Sequence, residues 1–228
     1  MSRKSMIIQL LAVLVLGSCN KVDNYQTPNG AIFGKLVDKI TNESLQTEQP
    51  NGFTVKLYEK GGQDFSPIAF SGKPDGTFEN SWIFQNEYRV LPEEGAFFAV
   101  DSAVVIVGPR TEKNFDVMPF LALTDVNVVA GAGKISASYK IQRGQIGDKI
   151  VEAKILVSKV PTVNNIVFDF KTERDLSAIA DEDILADQYA DEVTGLASNS
   201  TYYVRIAART DNGLKKYNYS KTFVVTVQ

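Results

Sequence analysis

The sequence predicts an all-β chain, with two β-sandwich modules in series behind a short leader. Three observations carry this. Apolar residues recur at period two in short runs, the spacing of strands with one buried face. Clusters containing Gly, Pro, Asn and Asp separate these runs at near-regular intervals. Of 228 residues, 210 remain once the first eighteen are set aside, enough for two modules of about a hundred residues each.

The leader comes first. Arg3 and Lys4 precede an apolar run of eleven residues, 6–16, and Leu16-Gly17-Ser18-Cys19 follows. That run is about half the length needed to span a bilayer. A basic head, a short apolar core and small residues before the break read as a secretory signal over residues 1–18. Cys19 is the only cysteine in the chain. The pattern resembles the lipobox of bacterial lipoproteins. That resemblance implies cleavage before Cys19, a diacylglyceryl thioether on its sulfur and a further acyl chain on its new amino group. Two or three chains make a stable anchor, where a single chain holds only marginally. Residues 19–30 read as a polar tether. Its Asn20, and an Asp23 beside Lys21, favour the outer membrane and leave surface exposure open.

From residue 31 the pattern is β. Residues 31–38 (AIFGKLVD) alternate, and residues 53–59 place Phe53, Val55 and Leu57 on one face. A short strand follows around residues 68–70. Pro74-Asp75-Gly76 is a turn whose glycine suits a left-handed backbone. Residues 77–84 and 87–91 read as strands joined tightly at Gln85-Asn86. The apolar run 103–107 and residues 113–117 complete the first module, 31–118, and Pro119 marks its boundary. In the second module, 119–228, Ile135, Ala137, Tyr139 and Ile141 share a face, and residues 150–160 and 167–170 form strands. Tyr202, Val204, Ile206 and Ala208 point inward, with Tyr203, Arg205 and Arg209 outward. Residues 221–227 end the chain as a strand. Residues 181–190 fit either a short helix or a loop.

The first module resembles the prealbumin-like, carboxypeptidase-regulatory modules through Gly34-Lys35-Leu36-Val37-Asp38, Val55-Lys56-Leu57-Tyr58, Asp75-Gly76-Thr77-Phe78 and Tyr88-Arg89-Val90. The second is similar to fibronectin type III domains. Leu196 lies six residues before Tyr202, the spacing of their tyrosine corner, and Tyr139 stands where they usually carry tryptophan. The longer string DNYQTPNG…TEQPNGFTVKLYE…KPDGTFENSWIFQNEYRV resembles a Bacteroidota lipoprotein family of undefined function. Its members are often encoded beside SusC/SusD-type glycan importers.

Composition removes several kinds of chemistry. Histidine is absent, which excludes Ser-His-Asp and Cys-His nucleophilic arrangements within the chain. The lipid would consume the single thiol. A Ser-x-x-Lys spacing at Ser18 and Lys21 would be split by cleavage. Gly131-Ala132-Gly133-Lys134 lacks phosphate-loop spacing and reads as a hairpin turn. Asp181, Glu182, Asp183, Asp187 and Asp191 lack calcium-loop spacing and read as a solvated acidic face. Residues 19–118 carry nine basic and fourteen acidic side chains and residues 119–228 thirteen of each, no footprint for nucleic acid. The expectation is a non-enzyme with no catalytic residues, cofactor or metal.

Aromatic residues are the candidate ligand surface. Trp82 is the sole tryptophan. Strict alternation puts it with Phe78 and Phe84 on the core face. Ile83 breaks that alternation and leaves an exposed ligand platform as the alternative. Tyr217 and Tyr219 flank Asn218 beside Lys215 and Lys216, either as a loop-end binding patch or as cover for the end of the sandwich. The resemblance implies an accessory role in polysaccharide uptake, with a membrane, an importer of the SusC/SusD type and a polysaccharide as partners. The rival reading is a structural, pilus-like surface component that assembles through strand edges.

Overall fold

The structure is a computed structural model and describes residues 27–62 and 66–228. The leader, the lipobox with Cys19 and most of the tether lie outside the described residues.

The first half carries β1 (Gly30–Asp38), β2 (Thr54–Glu59), β3 (Ile68–Ser71), β4 (Thr77–Ile83), β5 (Glu87–Glu93), β6 (Ala103–Ile106), β7 (Thr111–Glu112) and β8 (Phe115–Val117). One sheet runs β4-β1-β7, with β8 also on β1, and the other runs β3-β2-β5-β6. β7 and β8 pair with β1 in parallel, while β4 is antiparallel to it. The inward residues form one apolar core that includes Ile32, Leu36, Phe53, Val55, Leu57, Phe78, Tyr88, Val90 and Val117. The alternation of residues 53–59 is thus obeyed in full. Gln85-Asn86 is not a hairpin turn, since β4 and β5 belong to different sheets and the connection arches between them.

Two glycines answer to specific demands. A Cβ on Gly34 would collide with the Lys113 carbonyl, which lies between β7 and β8 against β1. Gly76 sits at φ +76, and a side chain there would meet the Leu45 carbonyl.

The second half carries β9 (Ala122–Gly131), β10 (Lys134–Gln142), β11 (Ile150–Ser158), β12 (Phe170–Asp175), α1 (Asp181–Ala186), β13 (Tyr189–Thr194), β14 (Ser200–Thr210), β15 (Asn218–Tyr219) and β16 (Phe223–Val227). Its sheets run β13-β10-β9 and β12-β11-β14-β15, with β16 also on β14. A second core between them includes Ile135, Tyr139, Ile141, Ile155, Tyr202, Val204 and Ile206. The Tyr202 hydroxyl accepts the Ala197 N–H at 3.1 Å, the bond that the tyrosine-corner spacing predicts. Gly131 and Lys134 pair across the β9–β10 turn, with Gly133 at φ +65. The strand expected over residues 167–170 begins only at Phe170, because Val167 and Asp169 are held in a loop by Asn164 and Val157. Residues 189–194, unassigned by pattern, form the edge strand β13.

The face of β14 expected to be outward is not solvated. Arg205 and Ala207 are buried there. The loop between β11 and β12 and the loop before β2 cover that face, and Leu156, Val163, Ala207, Tyr217 and Tyr219 form a third apolar cluster. No helix among the described residues is long and apolar enough to cross a membrane.

Candidate functional site

Trp82 is placed by a β-bulge. Ile32 pairs with Asn80, but Gly30 pairs with Ile83, so two steps along β1 face three along β4. The extra residue flips the parity of everything beyond it. The Asn80 Oδ1 accepts the Trp82 N–H at 3.0 Å and so satisfies a donor displaced from the ladder. Ile83 therefore turns inward and is buried, while Trp82 is 68% exposed and Phe84 is also exposed. The core placement that strict alternation gives to Trp82 and Phe84 is corrected by this bulge.

For Tyr217 and Tyr219 the structure favours burial over a binding patch. Both are buried and form no surface patch. The Tyr217 hydroxyl donates to Glu152 Oε2 at 2.6 Å. The Tyr219 hydroxyl donates to Glu48 Oε2 at 2.9 Å and accepts the Asn165 N–H at 3.2 Å. Burial, reinforced by the charge of Glu48, pushes the Tyr219 phenol far above its usual range, so it stays a donor.

Tyr219 belongs to a polar seam between the two halves, and Tyr217 lies beside it within the second half. The Arg205 guanidinium lies 4.4 Å from the Tyr219 ring centre and donates to the Thr47 carbonyl at 2.9 Å and the Ser220 carbonyl at 3.0 Å. Desolvation lowers its pKa to about 10, which leaves it charged at neutral pH. Lys216 pairs with Glu48 at 3.4 Å. Asn164 donates to the Gln49 carbonyl at 3.2 Å. Asn218 donates to the Ala96 carbonyl at 2.8 Å and accepts the Leu121 N–H at 3.0 Å. Bonds of this kind between separately buried cores hold the halves in one relative orientation.

Beside the seam lies a cleft of about 280 Å³ lined by Thr41, Glu43, Thr124, Asp125, Val126, Ser220, Lys221 and Phe223. Both walls contain irregular backbone. Ser138 pairs with Asn127 and Lys140 with Thr124, so β9 carries an extra residue, a second bulge. Asp125 occupies the left-handed region at φ 50, as does Asn42 at φ 58 on the opposite wall. The Thr124 Oγ1 is buried without a protein partner. Glu43, Asp125 and Lys221 supply charge, and Phe223 and Val126 supply apolar surface. No sequence signal marked this cleft. Its walls meet only through the fold, and Asp125 inside an alternating strand is the one local sign that the pattern breaks there.

The acidic run is only partly solvated. Glu182, Asp183 and Asp187 are exposed. Asp181 receives Arg143 and Lys149, both at 2.8 Å, and the Ile150 N–H at 3.2 Å. Burial works against its ionisation, but the Lys149 bond, the Ile150 N–H and the Arg143 charge outweigh it and hold its carboxyl below the usual range. Asp191 pairs with Arg174 and accepts the Tyr139 hydroxyl at 2.9 Å. Among the described residues no three carboxylates converge on a metal position.

Residues 31–118 match a family model described as the N-terminal domain of a protein of unknown function, DUF3823. Several solved structures share the fold over most of the chain. A DUF3823 family protein from Bacteroides uniformis is 24% identical with a TM-score of 0.75, over 88% of this chain and 100% of that one. A second protein from Bacteroides uniformis, described as a candidate carbohydrate binding protein, is 24% identical with a TM-score of 0.74 over the same shares. A DUF3823 family protein from Parabacteroides merdae is 20% identical with a TM-score of 0.74, over 89% and 100%. No curated protein matches the chain.

Proposed function

We propose that this chain is a non-catalytic outer-membrane lipoprotein, anchored through lipid on Cys19, that binds glycan in support of a SusC/SusD-type uptake system. The cleft at the junction of the two halves is the observation that carries the reading. It is a fixed polar recess whose walls are locked together by the Arg205 and Asn218 bonds. Sugar rings offer C–H faces to surfaces such as Phe223, and hydroxyls to carboxylates, ammonium and threonine. Its volume is close to the ~300 Å³ lower end of ligand pockets, a size for one or two sugar units rather than a long chain. The carbohydrate description of one protein with the same fold supports the same class of ligand.

Affinity electrophoresis of the protein against a broad polysaccharide panel tests the reading, with calorimetry on whichever glycan retards it. Asp125→Asn removes the charge while keeping a residue type that tolerates the left-handed backbone. It should weaken binding by about tenfold, the worth of one hydrogen bond to a charged group. Flat mobility across the panel, with no importer recovered on purification from outer membranes, would contradict it.

A further inference from the structure

Trp82, Phe84 and Ile106 remain unused by the cleft and the seam, and they share one end of the first module. Trp82 is 68%, Ile106 77% and Phe84 42% exposed. Trp82 precedes the last residue of β4 and Phe84 follows it. Ile106 is opposite Glu87, and the next residue, Val107, donates to the Asn86 carbonyl at 2.8 Å. The chain enters the fold at this end. Gly30 pairs with Ile83, and Gln85 Nε2 donates to the Asn29 carbonyl at 3.4 Å. The Ala31 N–H reaches the Gly108 carbonyl at 3.1 Å.

The opposite end of the module meets the second half. β1 runs from Gly30, beside Ile83, to Asp38, which pairs with Val117 just before the junction. Its nine residues separate the two ends by about 25–30 Å, at ~3.3 Å per residue. The apolar end therefore faces away from the cleft and towards whatever holds the N-terminal segment. Gly30 lies eleven residue steps beyond Cys19, so the first strand begins at most about 36–40 Å from that residue.

We infer that Trp82, Phe84 and Ile106 form a membrane-docking face, which seats this end of the first module in the headgroup region of the bilayer that carries the Cys19 lipid. The inference rests on the anchoring proposed above. Indole is the side chain best suited to the boundary between water and hydrocarbon, with an apolar body and one N–H donor. Among the described residues, Lys60 and Arg110 at this end both have carboxylate partners, Arg110 with Glu79 at 4.0 Å. Lys60 pairs with Glu87 at 3.0 Å, and Asn86 donates to Glu59 at 2.8 Å. Docking is thus apolar and insensitive to salt. The anchor supplies the local concentration that lets a small patch of three side chains suffice. Seating this end on the bilayer leaves the junction cleft pointing outward.

Trp82 is the only tryptophan, so the intrinsic emission of the protein reports on this face alone. The test takes the lipoprotein extracted from producing cells. It is reconstituted into phosphatidylethanolamine–phosphatidylglycerol vesicles that carry bromine either near the headgroups or deep in the acyl chains. Flotation reports the anchor and quenching reports the docking. The expected result is co-flotation, with headgroup-proximal bromine quenching at least about twofold more than deep bromine, as an interfacial indole requires. Quenching should be unchanged at high salt. Moving the probe with Trp82→Phe and Phe84→Trp should preserve quenching. Moving it to the second module with Trp82→Phe and Val129→Trp should abolish it. Co-flotation without quenching overturns the docking and leaves the anchor standing. Absence of flotation and of quenching overturns both. Emission that shifts with added polysaccharide but not with vesicles assigns the face to glycan and overturns the inference.

Discussion

The seam between the modules and the Trp82 end are both aromatic, and they behave oppositely. At the seam and beside it Tyr219 and Tyr217 are buried, and their hydroxyls are taken by Glu48 and Glu152 of the same chain. At the far end Trp82 has been turned out of the core by a bulge, and its backbone N–H is engaged by Asn80. An aromatic residue whose ring and polar tip are both satisfied within the chain is structure. One that the backbone is bent to expose is available to a partner. In sequence the two kinds looked alike.

The largest effect should come from the seam. Arg205→Ala leaves the Thr47 and Ser220 carbonyls without their donor and opens a cavity against Tyr219. The expected loss is about 3 kcal/mol of stability in urea titration. A loss below half that would mean that the junction is not held as described. Next is Glu152→Gln. Burial opposes ionisation of Glu152, but the bonds from Lys154 and Tyr217 and the charge of Arg209 prevail and lower its pKa. A lowered folded-state pKa stabilises wherever the carboxyl is ionised. The contribution is full above the ordinary glutamate range and is lost as pH falls through the folded value. Glu152→Gln should therefore cost about 1–2 kcal/mol at neutral pH, and the gap from the parent protein should close in acid. A gap that widened in acid would reverse the assignment. The smallest effect is at the other region. Trp82→Ser should change stability by no more than about 0.5 kcal/mol, as for an exposed side chain. A loss of several times that would place the indole in the core.

Period-two patterning was enough for the fold class, the strands of residues 53–59 and 134–141, and the Tyr202 corner, because one face of each strand is buried in a simple sandwich. It misread Trp82 because the parity rule holds only while the ladder is unbroken, and one inserted residue reverses it. Ile83 was the local sign. It misread Arg205, and could not choose between the two readings of Tyr219, because the sheet they belong to is covered on both faces, by loops distant in sequence. The Arg205–Thr47 bond joins residues 158 positions apart. The cleft was illegible for the same reason. Thr41 and Lys221 become neighbours only after both modules have folded and docked.

The central claim is that the bulge at Asn80–Trp82 delivers an apolar residue to solvent at the anchored end. The most direct measurement is the tryptophan emission of lipid-free Cys19→Ala protein in buffer, with acrylamide as quencher. The account predicts the long-wavelength emission of a hydrated indole, readily quenched. Short-wavelength emission shielded from acrylamide would put Trp82 back among the core residues, and the membrane-docking face would fall with the bulge.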